Sequence, residues 1–191
     1  MAAKLILTGF MATGKTVVGP RVADRLSWRF IDTDNLVVQS AGKPIANIFA
    51  DDGEAEFRRV EREVVASLAT ESKLCPHCEN PRPAVISTGG GALLDESNYA
   101  ALARAGVIVC LTASPQVLAL RIGRSAAKRP KLLEGGKPLP ERIRELLDER
   151  APGYARADVS VDTSNLTIDE VVERVLDAYR TAGRQRCGLS A

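Results

Sequence analysis

The stretch GFMATGKT (9–16), set directly after the apolar run KLILT (4–8), limits what this chain can fold into more than any other part of it. It has the form G-x-x-x-x-G-K-[ST], with a strand-like run before it and helical spacing, TVVGPRVADRL (16–26), after it. Such a loop turns successive backbone N–H groups inward as a nest for phosphate oxygens. The helix that follows adds the positive end of its dipole. The candidate phosphate-binding residues are therefore Ala12, Thr13, Gly14, Lys15, Thr16 and Val17. Lys15 can reach the β- and γ-phosphates, and the Thr16 hydroxyl can bind Mg²⁺. Glycine at both ends, Gly9 and Gly14, suggests that something large approaches the backbone closely. Pro20 fits badly. Inside a helix a proline costs on the order of 3 kcal/mol unless the helix bends, so a kink or loosened turn is expected there.

Further strand-length runs recur at RFID (29–32), AVIST (84–88), GVIVCLT (106–112) and ADVSVDT (157–163). Between them stand segments with helical spacing: PIANIF from Pro44, GEAEFRRVEREVVASLA (53–69), NYAALARA (98–105), SPQVLALRI (114–122), LPERIRELLDE (139–149) and TIDEVVERVLDAY (167–179). In the second of these, Phe57, Val60, Val64, Val65 and Leu68 share one side. Alternating strands and helices predict an α/β fold with a mainly parallel sheet. The 191 residues suit one domain over 1–183 with a polar tail at 184–191. Basic (26) and acidic (24) residues are interspersed, and no apolar run is long enough to span a bilayer. Neither nucleic acid nor membrane is expected as a partner, and a cytoplasmic location is. Cys110 lies in an apolar run and reads as a buried small hydrophobe.

A nucleotide loop serves many activities, so the choice rests on what faces the transferred phosphate. FIDTDN places Asp32 and Asp34 at the end of the second strand, where a spacing of two puts both carboxylates on one side. One could hold the metal and the other accept a proton from an attacking hydroxyl. A competing reading makes Asp34 or Asn35 a helix N-cap. In EFRRVERE, Arg58 and Glu61 are three apart on a helix and can pair, which would fix a guanidinium for a substrate carboxylate. STGGGALL (87–94) puts Gly89, Gly90 and Gly91 just after a central strand, so a ligand can lie against bare backbone.

Taken together, GFMATGKT, DTD (32–34), FRRVE (57–61), GGG (89–91), KRP (128–130) and ERAPGY (149–154) resemble the shikimate kinase family, in the family's order and over about residues 4–180. The resemblance implies a P-loop kinase fold with a lid: five parallel strands in the order 2-3-1-4-5, flanked by helices. It implies transfer of the γ-phosphoryl group of ATP to the 3-hydroxyl of shikimate, with Mg²⁺. Carried over by motif, Asp34 lies near the accepting hydroxyl, and Asp32 helps hold Mg²⁺ together with Thr16. Arg58 and Arg150 bind the substrate carboxylate, Gly90 contributes backbone contacts, and Arg129 is the lid arginine that joins Lys15 and Asp34 in catalysis. Substrate-binding helices are expected over about 33–61 and the lid over about 123–139.

Two departures from the family pattern stand out. The lid reads Arg129-Pro130-Lys131-Leu132-Leu133, with Lys131 where an apolar residue is usual. The loop at 71–83 carries Cys75-Pro-His77-Cys78, half of a zinc site. Two chains could share one zinc through it, or the thiols could form a redox pair. The plainer reading, a surface loop with two free thiols on a monomer, is the one expected. Arg121 and Arg124 could flank the adenine, or could be solvated helix-end cations, and the DTSN turn (162–165) is a candidate for its other contacts. The rival readings are a kinase of another small metabolite, gluconate or a nucleoside monophosphate, and a nucleotide-binding module that meets a partner through the Cys75–Cys78 loop.

Overall fold

Lys4–Gly9 is buried along its whole length, as its sequence KLILTG requires of a central strand. This is β1 of the computed structural model, which describes residues 4–70, 83–123 and 138–186. Four further strands complete a parallel sheet: β2 (Arg29–Asp32), β3 (Ala84–Ser87), β4 (Val107–Thr112) and β5 (Val159–Asp162), in the order β2-β3-β1-β4-β5. This is the order that the resemblance implied. Leu5 stands beside Val85 on one side and Val107 on the other, so the three central strands are in close register.

Alternation along the strands divides the core. Leu5, Leu7, Val85, Val107, Val109 and Leu111 face α1 (Lys15–Leu26) and α8 (Ile168–Arg186), whose Val18, Val22, Val172, Val175 and Leu176 cover them. Ile6, Ile86 and Ile108 point to the other face. They pack on Val37 of α2 (Thr33–Ala41), Ile48 of α3 (Ile45–Asp51), Phe57, Val60, Val64, Val65 and Leu68 of α4 (Gly53–Thr70), and Leu102 of α5 (Glu96–Ala105). The apolar side predicted for the 53–69 segment is thus the buried side of α4. A third cluster joins Phe10 to α6 (Pro115–Gly123) and α7 (Leu139–Tyr154) through Leu118, Ile122, Ile143 and Leu146, and so supports the glycine loop from below. Buried Lys4 is accommodated because its ammonium donates to the Leu68 and Ala69 carbonyls at the end of α4. Among the described residues no helix is long and apolar enough to cross a membrane.

Three local expectations are corrected. Asp34 is not on a strand: β2 ends at Asp32, and α2 begins at Thr33. The cap is Asp32, whose carboxylate accepts from the Asp34 N–H at 3.0 Å, so neither Asp34 nor Asn35 serves as N-cap. Helix α7 does not stop near 149 but runs through Pro152 to Tyr154, since a proline in the last turn removes only one late hydrogen bond. Pro20 lies inside α1, which continues beyond it to Leu26. The N–H missing at Pro20 is the one that would have bonded the Thr16 carbonyl.

Candidate active site

Every described residue assigned a catalytic, nucleotide, metal or substrate role from sequence lines one cleft of about 780 Å³: Ala12, Thr13, Gly14, Lys15, Thr16, Val17, Asp32, Asp34, Arg58, Gly90 and Arg150. The cleft lies beyond the C-terminal ends of the parallel strands, the usual ligand position in open α/β sheets. Arg129, Lys131, Arg124, His77 and the two cysteines Cys75 and Cys78 lie outside the described residues.

The loop is held by its own backbone. Gly9 has φ +131°, and a Cβ there would stand 2.1 Å from the Leu111 carbonyl oxygen, so its glycine is demanded by β4 and not by a ligand. Gly14 caps α1 at φ +108°, a left-handed conformation that favours glycine, with the Val18 side chain in ordinary contact. Thr13 braces the turn by donating from its hydroxyl to the Phe10 carbonyl at 2.8 Å. The Lys15 ammonium donates to the carbonyls of Gly9 (2.7 Å) and Phe10 (3.1 Å). Burial lowers its pKa to about 8, against the opposing pull of Asp34.

Across the cleft the Asp34 carboxylate faces open space, but the walls crowd it. Burial first, then repulsion from Asp32, raises its pKa to about 6, while Lys15 works the other way. Two residues with hard oxygen donors, Thr16 with its hydroxyl and Asp32 with its carboxylate, line this cleft. Among the described residues no group of three or more His, Cys, Asp or Glu side chains is placed to hold a metal by itself. That donor set fits Mg²⁺, which takes one or two protein ligands and completes its shell with phosphate and water.

The expected Arg58–Glu61 pair is formed, with Nη1 2.6 Å from the Glu61 carboxylate. Glu61 is 1% exposed, so the apolar face of α4 carries one carboxylate inward to hold this arginine. The other arm of the fork, Nη2, is 3.2 Å from the exposed Glu54. The three glycines turn out to make room for side chains as well as for a ligand. A Cβ at Gly89 would meet Glu61 Oε1 at 2.9 Å and Asp34 Oδ1 at 3.0 Å. At Gly90 it would meet Arg150 Nη1 at 2.9 Å, and at Gly91 Arg58 Nη2 at 2.9 Å. Thr33, which sequence reading passed over, fixes the start of this turn by accepting from the Gly89 N–H at 3.1 Å.

At the far end of the cleft, Arg121 donates to the Thr163 carbonyl (2.7 Å) and hydroxyl (2.9 Å) and reaches the Ala12 carbonyl at 3.4 Å. It is therefore a strut between the glycine loop and the DTSN turn, not a solvated cation. Beside it Val17 and Ile168 stand exposed in the cleft, with Leu166 and Val171 completing an apolar shelf. No motif marks that shelf. Its only trace in the sequence is apolar residues at a strand end and on the exposed side of two helices.

Comparison with known proteins agrees with this geometry. The family model described as shikimate kinase matches residues 11–180. A shikimate kinase of Thermoanaerobacter pseudethanolicus is 42% identical over 175 residues, 92% of this chain and 95% of that one. One of Caldanaerobacter subterraneus subsp. tengcongensis is 45% identical over 175 residues, with the same coverage of 92% and 95%. Among solved structures, shikimate kinase from Acinetobacter baumannii in complex with shikimate matches with a TM-score of 0.81 at 27% identity, covering 93% of each chain.

Proposed function

The chain belongs to the shikimate kinase family and is an ATP-dependent kinase acting on a hydroxyl of shikimate; from that premise we propose how its residues divide the work. The amides of Ala12 to Val17 cradle the phosphates of ATP. Lys15 leaves the Gly9 and Phe10 carbonyls to meet the β- and γ-phosphates, where a cation is needed as charge spreads over the moving group. The adenine lies between Arg121 and the shelf of Val17 and Ile168. Thr16 and Asp32 would hold Mg²⁺, which when bound neutralises charge on the β- and γ-phosphates.

Asp34 receives the proton of the 3-hydroxyl. A carboxyl of pKa about 6 is ionised at neutral pH yet basic enough for the task. Arg58 and Arg150 clamp the shikimate carboxylate from two sides, and Gly90 offers backbone between them. Arg129 is assigned to the phosphates by its motif alone, and its lid would exclude water from the reaction. The chain is expected to act as a monomer in the cytoplasm, without a zinc bridge through Cys75 and Cys78.

The observation that carries this reading is the placing of two arginines and one aspartate opposite Lys15 in a single cleft. A neutral acceptor would need no such double clamp; gluconate and nucleoside monophosphates are anionic as shikimate is, so turnover separates them from it. The test is ADP release measured with shikimate, gluconate and nucleoside monophosphates in turn. Turnover with shikimate alone is expected, and a preference for either other acceptor would refute the assignment.

A further inference from the structure

The two clamp arginines are held in different ways. Arg58 is fixed by charge, with Glu61 and Glu54 on its two arms. Arg150 is only 8% exposed, yet it forms no ion pair among the described residues. The buried Glu61 carboxylate feels its charge but is in contact with Arg58; a guanidinium taken out of water with no carboxylate in contact is costly, so its charge is left for something that enters the cleft. Something neutral must hold it.

Two neutral groups do so. The Phe10 ring lies under Arg150, 5.1 Å from centroid to Cζ. Tyr154, four residues on along α7 and so on the same face, brings its hydroxyl against the guanidinium. The Tyr154 hydroxyl also donates to the Gly90 carbonyl at 2.8 Å. Burial pushes this hydroxyl up to about 12, so it keeps the one proton that it gives to Gly90. Gly153 lets the helix press onto the turn after β3: a Cβ there would lie 3.1 Å from Leu94 Cδ2. A phenol suits the position because it donates to a carbonyl and offers a lone pair to a cation without carrying charge. A carboxylate in its place would compete with the substrate for Arg150.

We propose that Tyr154 is a positioning residue for the acceptor: its neutral hydroxyl ties Arg150 to the Gly90 backbone, so that the guanidinium meets the substrate carboxylate in a fixed pose. The proposal rests on the reading that Arg150 binds that carboxylate. The test is Tyr154→Phe, which removes the hydroxyl and leaves the ring packed against the apolar cluster of Phe10, α6 and α7. KM for shikimate should rise about five- to tenfold, the scale of one ordinary hydrogen bond, with kcat and KM for ATP unchanged. Dissociation constants for shikimate and for its carboxamide, taken by calorimetry, carry the second arm. The loss should appear with the carboxylate and vanish with the amide. An unchanged KM in Tyr154→Phe, an equal loss with both ligands, or a loss shared by ATP would overturn the role of Tyr154. Arg150→Lys separates the two levels. If it leaves the preference for carboxylate over amide intact, the reading of Arg150 fails. If it abolishes that preference while Tyr154→Phe is silent, only Tyr154 is at fault.

Discussion

The two ends of the cleft are built on opposite plans. The proposed phosphate end is one continuous stretch, Gly9 to Val18, that offers mainly backbone groups. The proposed acceptor end is assembled from α2, α4, the turn after β3 and α7, and offers mainly side chains. Glycine serves both ends for different reasons. Gly9 is pressed against the backbone of β4, whereas Gly91 faces the Arg58 guanidinium alone; Gly90 lies between the two cases, with the Arg150 tip and the Gly9 carbonyl both near. A backbone neighbour cannot move aside, but an arginine tip can. The lesson is that Gly9 holds the fold, whereas Gly91 holds the alignment of a charged group.

The sharpest way to break this contrast is Asp34→Asn. It should lower kcat by roughly a hundredfold or more, the scale of general-base catalysis, and leave ATP affinity nearly unchanged. The same variant has a stability signature. The folded-state pKa of Asp34, about 6, lies above the ordinary aspartate value of about 3.8. Its contribution to stability is therefore present below about pH 4 and lost as pH rises through 6. Asp34→Asn should melt higher than wild type at pH 8, and the two should converge near pH 4. A variant that melts lower at pH 8 would contradict the crowding of this carboxylate.

Next in size is the glycine pair. Gly9→Ala must push against the Leu111 carbonyl at positive φ, so it should lower the melting temperature and reduce activity with it. Gly91→Ala should leave melting nearly unchanged, because only the Arg58 tip is displaced, and raise KM for shikimate about tenfold. Equal thermal losses in both would erase the distinction between the two ends.

A smaller effect is the pH profile of kcat/KM for shikimate. Its acid limb should fall near pH 6, where Asp34 takes up a proton. Asp32→Asn removes a neighbouring negative charge that raises this pKa, so the limb should move to lower pH. Smallest of all is Glu54→Gln. This exposed partner of Arg58 contributes weakly, and KM should change by less than about fivefold. The Cys75→Ser, Cys78→Ser double variant should not change turnover at all, and elemental analysis of the wild type should find no stoichiometric zinc.

The same contrast explains what could be read from sequence. The phosphate end is local, so its loop, its lysine and the helix after it were legible in eight residues. The pairing of Arg58 with Glu61 was legible too, because a spacing of three on a helix is local. The period of two in DTD resembles a strand, whereas three adjacent polar residues that can all cap a helix hide the fact that Asp32 is the one that ends β2 and caps α2. Tyr154 stands in ERAPGY with nothing local to mark a role. Its meaning depends on α7 continuing past Pro152 and on a carbonyl 64 residues away. The shelf of Val17 and Ile168 was invisible for the same reason: its parts meet only in the fold.

The central claim is that the acceptor end reads a carboxylate through arginines held in place by the protein. Dissociation constants of shikimate and of its carboxamide, measured for wild type and for Arg58→Lys, test it most directly. Wild type should lose at least about tenfold on exchange of carboxylate for amide, because a charge-assisted fork is lost. Arg58→Lys should lose much less, since lysine cannot offer the planar fork. Equal losses in the two proteins would mean that Arg58 does not read the carboxylate, and the account of the acceptor end would fall.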